Sequence, residues 1–166
     1  MLSIGDRIPE ANLRRKTSDG VAAIRTTDFF RGRAVAVFGV PGAFTPACSD
    51  VHLPGFVALF DELRRAGVEE IACLAINDAF VMDAWSRASG AAKYITFLAD
   101  GNGELTAKMG VELDLSGAGM GVRSRRYAAL VRDGVIEYLG VEPGRDVGVS
   151  SAQAVLDHLR GADSSV

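Results

Sequence analysis

Short uncharged runs of β-branched and aromatic residues alternate along this chain with stretches whose apolar positions recur every three to four residues. Ala34-Val35-Ala36-Val37-Phe38, Glu70–Ile76 and Ile95–Ala99 read as buried strands. Phe56, Leu59, Phe60 and Leu63 recur at i, i+3, i+4 and i+7, which predicts a core-facing helix ending at Gly67. Val81, Ala84, Trp85 and Ala88 predict a second helix, capped by Asp78 and closed by Gly90. Ala152, Val155, Leu156 and Leu159 predict a last helix, capped by Ser150 or Ser151, with residues 161–166 expected to fray. Asp19-Gly20, between Ala11–Lys16 and Val21–Thr26, and Asp133-Gly134, between Tyr127–Val131 and Val135–Val141, are hairpin signals. A short helix is expected through Asp28-Phe29-Phe30 to Gly32, and another from the turn Asp100–Gly103 to about Met109. Residues 110–122, rich in glycine, read as an ordered but irregular loop.

Three strands alternating with helices, then a hairpin and a closing helix, predict an α/β fold with a mixed central sheet covered on both faces. No internal repeat or linker divides residues 1–166, so one domain is expected. A content of 48% hydrophobic and 23% charged residues is ordinary for a globular chain. A net charge of −3, with no Lys/Arg tract, leaves no footprint for nucleic acid. The first twenty residues carry no apolar signal core, and no run is long enough to span a bilayer, so a cytoplasmic location is expected. The two cysteines, Cys48 and Cys73, do not form the framework of a secreted disulfide protein.

The chemistry concentrates in Pro41-Gly42-Ala43-Phe44-Thr45-Pro46-Ala47-Cys48-Ser49, directly after the first buried strand. Thr45 suits a helix N-cap and Pro46 the first helical position, which puts Cys48 third. There the unpaired N–H groups and the helix dipole favour a thiolate, the form that attacks. On these residues alone, a buried thiol acting as a small hydrophobe is the rival reading. Pro54 cannot donate to the carbonyl of Asp50, so a kink or bulge is expected there. His52, one turn after Cys48, could complete a Cys/His dyad or a metal site. With two histidines in the chain and no further ligand cluster, it reads instead as a polar helix residue near the site mouth. A thioredoxin-like disulfide reductase would need Cys-x-x-Cys, and Thr45 stands where the first cysteine belongs.

The nonapeptide, together with His52-Leu53-Pro54-Gly55-Phe56, Asn77-Asp78-Ala79-Phe80, Gly121-Val122-Arg123-Ser124 and Val141-Glu142-Pro143-Gly144, resembles the peroxiredoxins, in particular the type II or peroxiredoxin five branch. The resemblance implies a thioredoxin-like fold with an N-terminal hairpin extension and no cofactor or metal. It implies that Cys48 attacks the O–O bond of hydrogen peroxide and alkyl hydroperoxides, and that Thr45 contacts thiolate and peroxide. It assigns the guanidinium to Arg123, with Arg125 and Arg126 read as solvated or ion-paired surface positions, and has Pro41 shield the sulfur. Cys73 falls at a position where some relatives carry a resolving cysteine, yet it sits mid-strand and reads as buried and inert. The late resolving position of other relatives falls at Val149-Ser150-Ser151-Ala152, with no cysteine. An external donor is therefore implied: glutaredoxin with glutathione, or thioredoxin. A homodimer is implied too, with Phe44 and Phe80 near its interface and Trp85 in the core. The alternative function is a peroxide sensor or chaperone-like binding protein using the same sulfur.

Overall fold

The computed structural model describes residues 1–164. Asn12–Thr17 (β1) and Gly20–Arg25 (β2) form the first hairpin. Thr17 pairs with Gly20, so the turn falls at Ser18-Asp19, one residue earlier than expected. Thr26–Phe29 (α1) leads into Ala34–Gly39 (β3). A π-helical turn, Cys48–His52, then runs into Leu53–Ala58 (α2) and Phe60–Arg65 (α3). Glu70–Ala75 (β4), Ala79–Ala88 (α4), Thr96–Ala99 (β5) and Glu104–Met109 (α5) follow. Glu112–Asp114 (β6) and Val122–Ser124 (β7) precede the hairpin Tyr127–Arg132 (β8) and Val135–Val141 (β9), and Ala152–Ser164 (α6) closes the fold.

Seven strands make one mixed sheet in the order β2-β1-β5-β4-β3-β8-β9. The pairs β3/β4 and β4/β5 are parallel, and the flanking pairs are antiparallel. Every residue of β3 is buried, as a strand covered on both faces requires. Its side chains divide by parity. Ala36 and Phe38 join Leu53, Phe56, Trp85 and Leu156 on one face, while Val35 and Val37 join Leu105, Met109 and Tyr127 on the other. The thioredoxin-like architecture is therefore present, with the N-terminal hairpin added beyond β5. No helix among the described residues is long and apolar enough to cross a membrane.

Three local expectations change, and a fourth takes a specific form. Residues 110–122 are not simply irregular: β6 and β7 form a small separate hairpin, with Leu113 opposite Arg123. Its turn is held by Asp114 Oδ1, which accepts from the Ser116 N–H at 2.9 Å, an Asx turn. The buried stripe of α4 is Ala79, Met82, Trp85 and Ser86, with Ala88 exposed. Ser86 is tolerated inside because its hydroxyl donates to the Asp83 carbonyl at 2.7 Å. The last helix keeps its expected inner stripe but continues through Gly161 to Ser164, and residues 165–166 lie outside the described residues. Finally, the break foreseen at Pro54 takes the form of the π turn that precedes it: the Leu53 N–H donates to the carbonyl of Cys48, five residues back. Asp78 caps α4 as expected, accepting from the Val81 N–H at 2.9 Å.

Candidate active site

Val40 extends β3 by one further bond, its N–H donating to the Leu74 carbonyl at 3.0 Å. The chain then leaves the carboxyl end of the strand, where open α/β sheets place their ligands. The approach to Cys48 is tight: Phe44 takes φ = 66°, a left-handed conformation that costs a bulky residue on the order of 1 kcal/mol. The Ser49 N–H donates to the Thr45 carbonyl at 2.9 Å and closes the first helical turn. Among the described residues no backbone N–H donates to the Thr45 hydroxyl. That hydroxyl lies 2.7 Å from the Gly42 carbonyl and 2.8 Å from Cys48 Sγ. Thr45 is therefore no side-chain cap; its single proton is shared between a carbonyl and the sulfur. Cys48 itself has no exposed surface.

The guanidinium at the sulfur belongs to Arg126, not to Arg123. Arg126 Nη2 donates to Cys48 Sγ at 3.2 Å, and the side chain is 5% exposed. The expectation that Arg126 is a surface position is overturned along with the assignment of Arg123. The reason is register. Tyr127 opens β8 opposite Gly39, the last residue of β3, so the residue before it is delivered to the start of the Cys48 loop. Arg123 lies three residues earlier, in the small β6–β7 hairpin outside the main sheet. Its Nε donates to the Met120 carbonyl at 2.9 Å and its Nη1 to the Pro41 carbonyl at 3.5 Å. Arg123 thus braces the loop that carries Pro41.

His52 is also not at the site mouth. It is 1% exposed and packs at a tilt against Phe38 and Phe56. Nδ1 lies 3.0 Å from Arg126 Nη1, and Nε2 lies 2.7 Å from the Ser150 carbonyl. A guanidinium only donates and a carbonyl only accepts, so Nε2 carries the proton and Nδ1 accepts. The imidazole is neutral: burial, above all, lowers its pKa to about 4, with the Arg126 charge adding to the effect. The Ser150 segment is anchored in turn by Glu142. Its Oε1 accepts from the Gly148 N–H at 2.6 Å, the Ser150 N–H at 2.9 Å and the Ser150 hydroxyl at 2.8 Å. Burial opposes ionisation of this carboxyl, but the hydrogen bonds from Ser150 and Gly148 outweigh it and the pKa falls below the ordinary value. A continuous chain results, from Glu142 through Ser150, His52 and Arg126 to Cys48. Sequence reasoning missed it, although the i, i+4 spacing of Cys48 and His52 was a usable signal.

A cavity of about 460 Å3 opens beside this chain, lined among others by Pro41, Thr45 and Arg126. Arg126 Nε is buried and has no hydrogen-bond partner among the described residues. Cys73 shares the apolar cluster that holds Cys48; burial pushes its thiol well up, and the Cys48 sulfur adds to the shift. Both cysteines are free. Trp85 is fully buried, whereas Phe44 and Phe80 are 53% and 63% exposed. Their loops abut, since the Ala43 N–H donates to Asn77 Oδ1 at 2.9 Å.

Comparison with known proteins identifies the family. The Redoxin family model matches residues 3–156. Peroxiredoxin-2E, chloroplastic, of Arabidopsis thaliana is 45% identical over 162 residues, covering 95% of this chain and 69% of the relative. Peroxiredoxin sll1621 of Synechocystis is 45% identical over 146 residues, covering 84% of this chain and 77% of the relative. Among solved structures, reduced Prx3 of Vibrio vulnificus in complex with hydrogen peroxide superposes with a TM-score of 0.92 at 42% identity, covering 96% of this chain and 99% of that one. Peroxiredoxin 5 of Alvinella pompejana superposes with a TM-score of 0.86 at 35% identity, covering 97% and 99%. A matching family model, close relatives and a shared fold together establish that the chain belongs to the peroxiredoxins, thiol-dependent peroxidases of the thioredoxin-like superfamily.

Proposed function

We propose that Cys48 is the peroxide-reducing nucleophile and that its substrates are hydrogen peroxide and alkyl hydroperoxides. The observation that carries this reading is the double engagement of one buried sulfur by the Thr45 hydroxyl and the Arg126 guanidinium. The thiolate attacks one peroxide oxygen, the O–O bond breaks, and the departing oxygen takes a proton from solvent. Cys48 becomes a sulfenic acid, and water or an alcohol leaves. Arg126 holds a positive charge that cannot be lost, where the departing oxygen gathers negative charge. Its unpartnered Nε–H supplies a further donor for a peroxide oxygen. His52 is a positioning residue that fixes the guanidinium through Nη1. Pro41 lines the cavity and narrows the approach to the sulfur.

The sulfenic acid is returned to thiol by an external donor, glutaredoxin with glutathione or thioredoxin, while Cys73 stays buried and inert within β4. The exposed rings of Phe44 and Phe80 form part of a homodimer interface. Free thiols suit a reducing compartment, and a cytoplasmic location is proposed on that basis. The test is steady-state peroxide consumption with each donor supplied separately. Cys48→Ser abolishes turnover and Cys73→Ser retains most of it. An internal Cys48–Cys73 disulfide detected by mass, with turnover lost in Cys73→Ser, would overturn the one-cysteine cycle.

A further inference from the structure

The Arg126 guanidinium bonds to two side chains, Cys48 through Nη2 and His52 through Nη1, and among the described residues no carboxylate touches it. It is tied to a buried carboxylate all the same, by two routes that start from Glu142. One route is backbone. Strands β8 and β9 pair as far as Tyr127 and Val141, and the ladder gains one more bond beyond them: the Glu142 N–H donates to the Arg126 carbonyl at 2.9 Å. The other route is side chain. Glu142 Oε1 accepts from the N–H and the hydroxyl of Ser150, the Ser150 carbonyl lies 2.7 Å from His52 Nε2, and His52 Nδ1 lies 3.0 Å from Arg126 Nη1. Together the two routes close a ring of hydrogen bonds that begins and ends on Arg126. Ser150 belongs to no strand or helix, so it depends on these bonds for its place. The Tyr138 hydroxyl donates to the Val149 carbonyl at 2.6 Å, and the Ser151 hydroxyl caps α6 by accepting from the Ala154 N–H at 3.0 Å. Those fasten its neighbours; among the described residues only Glu142 and His52 bond to Ser150 itself.

We propose that Glu142 is a positioning residue for peroxide reduction, holding the Arg126 guanidinium on Cys48 through Ser150 and His52. The proposal rests on the peroxidase reading above and adds a residue to that same site. Hydrogen bonds to a carboxylate are shorter and stronger than those to a neutral acceptor, so Glu142 fixes Ser150 more firmly than an amide would. The imidazole in between is neutral, so Glu142 steers Arg126 without pairing with it. A direct ion pair would draw the cation away from the sulfur; the interposed ring leaves the whole positive charge of Arg126 facing Cys48. A donor held in place before the peroxide arrives costs no reorganisation when the O–O bond breaks.

The test reads the rate of Cys48 oxidation by hydrogen peroxide in stopped-flow fluorescence. Trp85 is the only tryptophan, and its Nε1 donates to Ser49 Oγ at 3.1 Å, so it reports on the site. Glu142→Ala is expected to slow oxidation about tenfold, and Glu142→Gln, which keeps an accepting oxygen, about threefold; both fall short of the ~hundredfold cost of misplacing a reacting group by about 1 Å. The decisive comparison is made in a His52→Leu background, where the ring is already cut. There Glu142→Ala is expected to change the rate by less than about twofold, because residues that act through one another are not additive. A residue that served only the stability of the fold would carry the same factor in both backgrounds. NMR of the imidazole nitrogens gives a readout independent of rate. The unaltered protein is expected to show His52 protonated at Nε2 alone, and in Glu142→Gln, the milder variant, the Nε2–H resonance shifts and exchanges faster with solvent as Ser150 loosens. Folded Glu142 variants that oxidise at the unaltered rate, that lose the same factor with and without His52, or that leave the Nε2–H resonance in place overturn the proposal. If Cys48 of the unaltered protein is oxidised and the Glu142 variants keep pace with it, only this inference fails; if hydrogen peroxide does not oxidise Cys48 at all, the peroxidase reading fails with it.

Discussion

Cys48 takes one donor from its own helical turn, Thr45, and one from 78 residues away, Arg126. The local donor was legible in the sequence, because three residues on a helix start bring two side chains together whatever the rest of the fold does. The distant one was not. Arg123-Ser124-Arg125-Arg126 offers three guanidiniums, and the choice among them depends on where β8 meets β3, a long-range register that no local pattern encodes. Arg126→Ala is expected to slow Cys48 oxidation by hydrogen peroxide about a hundredfold, the scale of losing one transition-state donor. Arg123→Ala, which loosens only the Pro41 loop, is expected to slow it by much less; stopped-flow rates for the two variants decide the assignment. His52 gives a second expectation, in stability. Below pH 6.5 the unfolded chain protonates this imidazole, while the folded chain refuses the proton until about pH 4. The folded state therefore loses up to about 3 kcal/mol as pH falls across that interval, and keeps the full contribution above it. Urea midpoints measured at several pH values should show this slope, and His52→Gln should remove most of it while the Glu142 titration remains.

Strands, hairpins and helices were largely readable from apolar periodicity, since burial on both faces leaves few ways to place Val35, Val37 and Phe38. What periodicity missed were elements whose cause lies outside them. The β6–β7 hairpin has only three residues per strand, too few for alternation to mark it. The π turn arises where Pro54 withdraws a donor, and it leaves both Cys48 and His52 facing inward. The segment between β9 and α6 matters in the same way, because it carries the Ser150 carbonyl to His52. Gly140 lets it approach: a β-carbon there would stand 2.1 Å from the Val149 carbonyl oxygen. Gly140→Ala is expected to destabilise the fold by about 1–3 kcal/mol as this segment moves away. It should also slow peroxide oxidation, because His52 loses its anchor. Denaturant midpoints and oxidation rates measured on the same preparation test both halves.

The molecule as a whole leaves two large rings uncovered beside its reactive loop, Phe44 and Phe80. Neighbouring exposed aromatic rings favour an apolar contact between copies. Phe80→Asp is expected to shift the protein from dimer to monomer in sedimentation velocity; an unaltered protein that sediments as a monomer would remove the interface. The complete burial of the Cys48 sulfur carries a consequence for the catalytic cycle. The O–O end of a hydroperoxide can slip in beside Arg126, but the sulfur of another protein cannot follow it. Regeneration must then wait for the Cys48–His52 turn to unwind and bring the oxidised sulfur outward. The recycling half-reaction is consequently gated by an internal opening rate, so it reaches a plateau as reductant is raised instead of climbing without limit.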